Sequence, residues 1–300
     1  MGLLSIFKKT NNLYYPGCYS YFKHKEFFDN YKKIFSRLGI DFKTISKKVC
    51  CGLPALETGY DSEARKLARR NFEIMKEEGI TSIITNSPCC YKMFLQDYPK
   101  LLPDWNIEVK NIWKILYEKL YEIKDHIKNR CNGSVAYQDS CYLGRYCNIY
   151  DEPRLILELL GYNIKEMYDT RENSICCGSC GGLVYTNSEL ADEIARERIM
   201  QARRAGVYKI IASSVGDYDI LKKNSKGLGV EILELSEVIA FALGLKIEGS
   251  SYAYNEESIK EELEDVNQDE AEQFIKIKDD DTNRILKEAK ENMRFLEEIE

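Results

Sequence analysis

The sequence predicts an α/β fold built from two tandem halves, each with a parallel β-sheet, that are related by internal duplication. Three pairs of landmarks recur at nearly one offset, of 123 to 127 residues: Cys18 and Cys141, Gly52 and Gly178, and Gly79 and Gly206. A fixed offset of this kind indicates a repeated structural unit. Helix-like segments alternate with β-branched runs inside each unit, which is typical of βαβ connections and a parallel sheet.

Each copy contains the same series of predicted elements. A short apolar run, LYYPG or SVAYQDS, leads into the first cysteine, and an amphipathic helix and a strand or turn follow. After a double cysteine, a second helix leads to a hydrophobic strand, ITSIITNS or YKIIASS. An extended segment, IEVKN or VEILEL, then runs into a last helix, IWKILYEKL or SEVIAFALG. We therefore expect one domain at residues 13–120 and a second at 134–247.

Charge is distributed unevenly along the chain. The 300 residues carry a net charge of −6, but residues 255–300 contain 17 acidic and 7 basic residues, which leaves the rest mildly positive. We expect residues 248–300 to form an acidic helical tail that caps or solvates the fold, with partner docking as the alternative. The sequence has no basic stripe with interleaved aromatic residues, so no nucleic-acid partner is expected.

The composition also predicts the compartment and the use of the cysteines. No apolar run approaches the roughly 18 residues of a membrane span, and MGLLSIFKK lacks the features of a secretory signal. We therefore expect a cytoplasmic protein, and peripheral association with a membrane complex stays open. Cytoplasmic thiols remain reduced, so the 11 cysteines indicate metal binding or redox chemistry. With two histidines in the chain, a metal site would be thiolate-dominated, as in iron–sulfur or zinc sites.

The cysteines fall where strands are predicted to end, which is where open α/β sheets place their ligands. In each copy a lead cysteine precedes a CCG triplet by thirty-odd residues: Cys18 before Cys50, Cys51 and Gly52, and Cys141 before Cys176, Cys177 and Gly178. Adjacent cysteines project in different directions, which suits neighbouring irons of a cluster better than one small ion. The glycine allows a tight turn of the backbone.

This arrangement resembles the cysteine-rich CCG family, which is best known from the B and D subunits of heterodisulfide reductase. The iron–sulfur subunits of glycolate oxidase, anaerobic glycerol-3-phosphate dehydrogenase and lactate utilisation systems are similar. The family pattern is a lead cysteine, a CCG triplet and a CxxC pair, usually twice per chain. The resemblance covers most of the chain, from about residue 13 to 245, and includes SCYLGRYCNIYDEPRLIL in the second copy.

The resemblance implies two Rossmann-like halves, each able to hold a 4Fe–4S cluster. The first copy would supply the ligands Cys18, Cys50, Cys51 and Cys90. Ser87 occupies the first CxxC position there, and Cys89 could substitute for it.

The second copy departs further from the family pattern. Its matching ligands are Cys141, Cys176 and Cys177, whereas Ser214 and Asp217 occupy the two CxxC positions. The neighbouring thiols of Cys180 and Cys147, or Asp217 as an oxygen ligand, could complete the set. The first copy is therefore the favoured cluster site.

The implied function is that of an iron–sulfur subunit of a cytoplasmic oxidoreductase complex, similar to heterodisulfide reductase. The site would either split a bound disulfide at Cys50 and Cys51 or relay electrons from a flavoprotein or ferredoxin-type partner. Two other classes stay open. Zinc held by Cys18, Cys50, Cys51 and Cys90 would define a redox-silent assembly subunit. A cluster-free thiol–disulfide enzyme would use Cys50 and Cys51 directly.

Overall fold

Two parallel β-sheets, one from each predicted copy, lie at the centre of the fold. The computed structural model describes residues 10–45 and 50–247, so the predicted tail at 248–300 lies outside the described residues. The strands are β1 (Asn12–Tyr14), β2 (Ser82–Ile84), β3 (Glu108–Val109), β4 (Ser134–Gln138), β5 (Asn163–Ile164), β6 (Lys209–Ala212) and β7 (Glu231–Glu234).

Helices connect the strands and cover the sheets. The α-helices are α1 (Lys25–Arg37), α2 (Leu53–Glu57), α3 (Asp61–Glu77), α4 (Pro88–Lys92), α5 (Tyr98–Leu101), α6 (Ile112–Glu122), α7 (Asp151–Leu160), α8 (Leu183–Thr186), α9 (Ser188–Arg204), α10 (Val215–Asn224) and α11 (Leu235–Ala242). Two π-helical turns lie at Tyr19–Lys23 and Met93–Asp97. None of the helices within 10–45 and 50–247 has the length and apolar character that crossing a membrane would take.

The two sheets have the same strand order. The first sheet is ordered β1-β2-β3, and Leu13 of β1 also forms a parallel bridge with Lys43. The second sheet is ordered β5-β4-β6-β7, and all its pairings are parallel. Lys43 therefore occupies, beside β1 in the first sheet, the place that β5 occupies beside β4 in the second sheet. The prediction of an α/β fold with parallel sheets is confirmed, and the predicted runs ITSIITNS and YKIIASS contain β2 and β6.

One hydrophobic core is shared by the two sheets. Tyr14 and Ile84 from the first sheet and Ile211 and Leu233 from the second are almost completely buried in the same cluster, together with Trp113 of α6. Each large apolar side chain buried in this way contributes roughly 1.5–3 kcal/mol. Helix α1 packs on α11, and α6 packs on α7, across the two copies. The shared core thus fixes the loops at the strand ends of one copy relative to those of the other.

A buried hydrogen bond reinforces this contact between the copies. Glu234 precedes α11 and caps it, because its carboxylate accepts a hydrogen bond from the backbone N–H of Ser236 at 2.6 Å. The Tyr31 hydroxyl of α1 donates to Glu234 Oε1 at 2.9 Å. Burial raises the pKa of Glu234 to about 7. The protonated carboxyl is therefore favoured in the folded protein relative to the unfolded chain.

Stability should consequently fall as the pH rises through neutrality. The stabilising contribution of Glu234 is complete below about pH 4.5, its unfolded pKa, and is lost as the pH rises through about 7. The shift corresponds to about 3 kcal/mol. We expect the Glu234→Gln variant, which stays neutral, to lose much less stability between pH 5 and 8 in chemical denaturation. Equal pH slopes for the variant and the wild type would contradict this assignment.

Candidate metal centre

The cysteine-bearing loops of both copies follow the carboxyl ends of parallel strands. Cys18 comes after β1 and Cys141 after β4, while Cys89 and Cys90 lie in the first turn of α4, after β2. The carboxyl ends of parallel strands meet at one edge of a sheet, and this edge is where open α/β sheets bind ligands. The topology therefore brings cysteines that are distant in sequence to one edge of the sheet in each copy.

Four cysteines of the first copy form an unbroken series of thiol contacts. The order of contact is Cys18, Cys50, Cys51 and Cys90. The Sγ atoms of Cys51 and Cys90 are 3.6 Å apart. Cys51 and Cys90 are buried, whereas Cys18 and Cys50 are half-buried. We call these four residues the first thiol set.

Cys50 is the hydrogen-bond acceptor in this set. Thiol hydrogens donated by Cys18 and Cys51, together with the backbone N–H of Gly52 at 3.5 Å from Sγ, lower the pKa of Cys50 to about 2. The same bonds raise the pKa of Cys18 and of Cys51, because these thiols donate in their neutral form. The thiolate, which is the form that binds metals, is therefore favoured at Cys50.

The second copy repeats this pattern with three cysteines. Cys176 accepts hydrogen bonds from Cys141, from Cys177 and from the backbone N–H of Gly178, whose nitrogen is 3.2 Å from Sγ. These donors lower the pKa of Cys176 to about 2. Cys180 is a further thiol in hydrogen-bond contact with Cys141. The structure thus brings together the four cysteines predicted for the second copy: Cys141, Cys176, Cys177 and Cys180.

The serines at the first CxxC position cap helices in both copies. Ser87 Oγ lies 3.4 Å from the backbone nitrogen of Cys90 at the start of α4. Ser214 Oγ lies 3.4 Å from the backbone nitrogen of Asp217 at the start of α10. Serine is a preferred N-cap residue, since its oxygen accepts from a backbone N–H of the first turn. Cys90 and Asp217 therefore occupy the same structural position, three residues after the cap.

Asp217 is buried, and only one of its two carboxylate oxygens accepts a hydrogen bond from the described residues. Its Oδ1 accepts a 2.6 Å hydrogen bond from Ser179 Oγ, and no donor in the described part of the chain reaches its Oδ2. Burial raises the pKa of this carboxyl. A buried polar atom without a partner is costly, and an ion missing from the structure is one of its ordinary explanations. The geometry is compatible with Asp217 as an oxygen ligand in the second copy.

A cavity of about 240 Å³ lies between the copies at the first thiol set. Among the described residues that line it are the cysteines Cys18, Cys50, Cys51, Cys89, Cys90 and Cys180. Three phenols, those of Tyr19, Tyr142 and Tyr185, also line it. Tyr142 and Tyr185 escaped the sequence analysis, because a lone tyrosine carries no signal until the fold places it beside a site.

The glycines beside the cysteines have positive φ angles, as a tight turn requires. Gly52 has φ +93° and Gly178 has φ +85°. A Cβ added to Gly178 would lie 2.5 Å from the carbonyl oxygen of Ala191 on α9, so this glycine permits a close approach of turn and helix. Gly17, which the sequence analysis did not single out, has φ +77°, and a Cβ there would lie 3.4 Å from Cys90 Sγ.

Two buried side chains hold the backbone of the first double cysteine. Asn71 Nδ2 donates to the carbonyl oxygen of Cys50 at 2.8 Å and to the Tyr98 hydroxyl at 3.0 Å. The Tyr98 hydroxyl in turn donates to the carbonyl oxygen of Cys51 at 3.0 Å. Neither residue is recognisable from sequence, because both read as ordinary core positions of helices. They fix the direction in which the two sulfurs project.

The donor chemistry of the first thiol set fits an iron–sulfur cluster. Such clusters are held by cysteine thiolates, and here four sulfurs follow one another beside a cavity. Within the described ranges, no group of three or more His, Cys, Asp or Glu side chains is arranged to hold a single metal ion. The other two cysteines lie in or against the shared core: Cys131 is buried and Cys147 is half-buried.

These features define a class of thiolate-rich proteins built from two related α/β copies. The model of one family, described as the CCG cysteine-rich domain, matches residues 12–95 and 135–216, which is more than half of the chain. The chain therefore belongs to the CCG cysteine-rich domain family. The two matched segments contain the first thiol set and its second-copy counterpart.

Relatives with this domain are named as iron–sulfur proteins or oxidoreductase subunits. The D subunit of the dihydromethanophenazine:CoB–CoM heterodisulfide reductase of Methanosarcina acetivorans is 27% identical over 82% of this chain and 62% of its own length. The EtfAB:quinone oxidoreductase of Syntrophomonas wolfei is 29% identical over 65% of this chain and 28% of its own length. Lactate utilization protein A of Bacillus pumilus is 28% identical over 61% of this chain and 79% of its own length. The chain thus spans less than two thirds of the length of the first two.

The geometry of Gly178 leads to a stability prediction. The Gly178→Ala variant must accommodate both a positive φ and a backbone oxygen 2.5 Å from the new Cβ. Gly181 is the matched control, since it has φ +69° and nothing within 4 Å of an added Cβ. We expect Gly178→Ala to lower the free energy of unfolding by about 1–3 kcal/mol more than Gly181→Ala. Equal losses in denaturant titrations would show that the turn does not depend on contact with α9.

Proposed function

We propose that this protein is an iron–sulfur subunit of a cytoplasmic oxidoreductase complex, with its cluster in the first copy. The observation that carries the proposal is the unbroken series Cys18, Cys50, Cys51 and Cys90 beside the cavity. A 4Fe–4S cluster held there would supply one-electron transfer. The names of the relatives support the same class, because they include oxidoreductases and an iron–sulfur-binding oxidoreductase.

The residues around the thiols have positioning roles in this proposal. Ser87 fixes the first turn of α4 and with it Cys90, while Asn71 and Tyr98 fix the carbonyl groups of Cys50 and Cys51. Gly17 leaves room for Ser87, because a Cβ there would lie 2.8 Å from Ser87 Cβ. Such support holds ligands in place before a cofactor binds, which lowers the cost of ordering them.

The cavity supports a disulfide as the substrate. Thiols and the phenols of Tyr19 and Tyr142 line it, so a small organic disulfide bound there would lie beside sulfur atoms. One relative is named as part of a heterodisulfide reductase, which supports this interpretation. Cys50 and Cys51 would then be the residues at the reacting centre. Electrons would come from a flavoprotein or ferredoxin-type partner.

We further infer that the copies are two Rossmann-like halves of one duplicated unit, at residues 13–120 and 134–247. Their shared strand order and the equal placement of Cys90 and Asp217 support a common origin. A second cluster would use Cys141, Cys176 and Cys177, completed by Asp217 or Cys180. The tail at 248–300 is proposed to be acidic and helical.

A second candidate function is a cluster-free thiol–disulfide enzyme that uses Cys50 and Cys51. Its supporting observation is that Cys50, which is half-buried, and Cys51 both line the cavity. Disulfide reduction would then survive removal of iron by a chelator and be lost on alkylation. Under the cluster proposal, the same chelator abolishes the activity.

Iron, sulfide and zinc contents of anaerobically purified protein test the main proposal. We expect roughly four irons and four sulfides per chain, with brown absorption, if the first copy alone holds a cluster. About eight irons and eight sulfides per chain would mean that the second copy holds a cluster as well. One zinc without sulfide would overturn the proposal and leave a redox-silent assembly subunit.

Exchanging the residue that distinguishes the copies tests the ligand assignment. We expect Cys90→Asp, which gives the first copy the residue of the second, to remove most of the iron from the first site. The reciprocal Asp217→Cys should raise the iron content of the second site or leave it unchanged. Cys147→Ser is the matched control, since this half-buried thiol packs against the shared core. Full iron retention in Cys90→Asp would exclude Cys90 as a required ligand.

A further inference from the structure

One thiol pair joins the two copies and stands apart from the first thiol set. Cys89 lies in the first turn of α4, and Cys180 lies three residues after Cys177. Their Sγ atoms are 3.9 Å apart, which is the contact distance of two thiols. A disulfide requires an S–S distance of about 2.0 Å, so closing the bond takes a movement of about 2 Å.

Both members of the pair are reachable from the cavity. Cys89 and Cys180 line it, and each is half-buried, whereas Cys51 and Cys90 behind them are buried. Gly181 and Gly182 follow Cys180, and an added Cβ at either would meet open space. The two glycines after Cys180 are therefore not packed against other groups at their Cβ positions.

A neighbouring hydroxyl orients Cys180. Ser179 Oγ donates its hydrogen to Asp217 Oδ1 at 2.6 Å and lies 3.0 Å from Cys180 Sγ. Since the serine has one hydroxyl hydrogen, its oxygen acts as an acceptor toward the neighbouring thiols, and the thiol of Cys177 donates to it at 3.3 Å. The contact with Ser179 places Cys180 beside Cys89.

We propose that Cys89 and Cys180 form an exchange dithiol that reduces a small organic disulfide entering the cavity. The thiolate of one cysteine attacks a sulfur of the substrate, RS–SR′, and expels one thiol. The second cysteine attacks the resulting mixed disulfide at the protein sulfur and expels the other thiol. The sum is two cysteine thiols and RS–SR′ giving one Cys89–Cys180 disulfide, RSH and R′SH, with no change in total electrons or protons.

The return of the pair to the dithiol rests on the proposed function. It consumes two electrons and two protons, with the electrons supplied by the flavoprotein or ferredoxin-type donor of the complex through the neighbouring site. The forward half of the cycle needs no donor. It can therefore be tested by itself.

The test treats anaerobically purified, cluster-loaded protein with one equivalent of 4,4′-dithiodipyridine per chain. A dithiol releases two thiopyridones and keeps no label, because the second thiol expels the first label, whereas an isolated thiol releases one and keeps one. We expect the wild type to release two thiopyridones per chain, and Cys89→Ser or Cys180→Ser to release one. Peptide mass spectrometry should find Cys89 joined to Cys180 in the wild type and a retained label on the remaining cysteine in each variant.

Two controls accompany the test. Cys147→Ser should behave as the wild type does. The inference assigns Cys89 and Cys180 no ligand role and leaves Asp217 to complete the second copy, so iron and sulfide, measured in the same samples, should be unchanged in Cys89→Ser and Cys180→Ser; a loss of iron in either would make that residue a ligand and overturn the inference. A stable label on Cys89 or Cys180 in the wild type would also overturn it. If the purified protein contains no iron, the proposed function is wrong. A Cys89–Cys180 disulfide formed in that iron-free protein would still support the exchange dithiol.

Discussion

The position of one copy relative to the other depends on a hydrophobic core that the two parallel sheets share. Ile84 and Ile211, on equivalent strands of the two sheets, are both fully buried in it. Burial in a close-packed core leaves little freedom for one sheet to move against the other. The helices after these strands, α4 and α10, carry Cys89 and Asp217, and the packing of the core sets the distance between them. A cavity lined from both copies requires this rigidity.

The copies use the same scaffold with different charges. Asn71 of α3 and Arg198 of α9 are 127 residues apart, the offset of Gly79 and Gly206, and both are buried. Asn71 is neutral and binds the backbone of Cys50. The guanidinium of Arg198 instead binds Gln138, Gln201 and the carbonyl oxygen of Asp169. This buried cation lies near Cys177, Asp139 and Asp169, and it lessens the cost of negative charge there. The second copy therefore has a buried cation at the position where the first copy has a neutral amide.

The sequence was sufficient for those parts of the fold that leave a periodic or repeated mark. The β-branched runs located β2 and β6, and the glycine landmarks located the ends of α3 and α9. The match of Ser87 to Ser214 followed from the duplication, but the capping role of both emerged only with the helix starts. Contacts between segments with unrelated spacings were beyond sequence reasoning. The approach of Cys89 to Cys180, and of Tyr142 to the cavity, arises from tertiary packing of two copies.

The lining of the cavity has a consequence for the symmetry of the site. Cys18 and Cys90 come from one copy and Cys180 and Tyr185 from the other, so one copy alone cannot enclose this space. A homodimer of one copy would enclose such a space with two-fold symmetry, and both halves of its lining would be identical. Two different copies in one polypeptide are not bound by that symmetry. The residues at the equivalent positions 90 and 217 can therefore differ, as cysteine and aspartate do. The residues that one copy contributes to the lining can then change without the same change in the other copy.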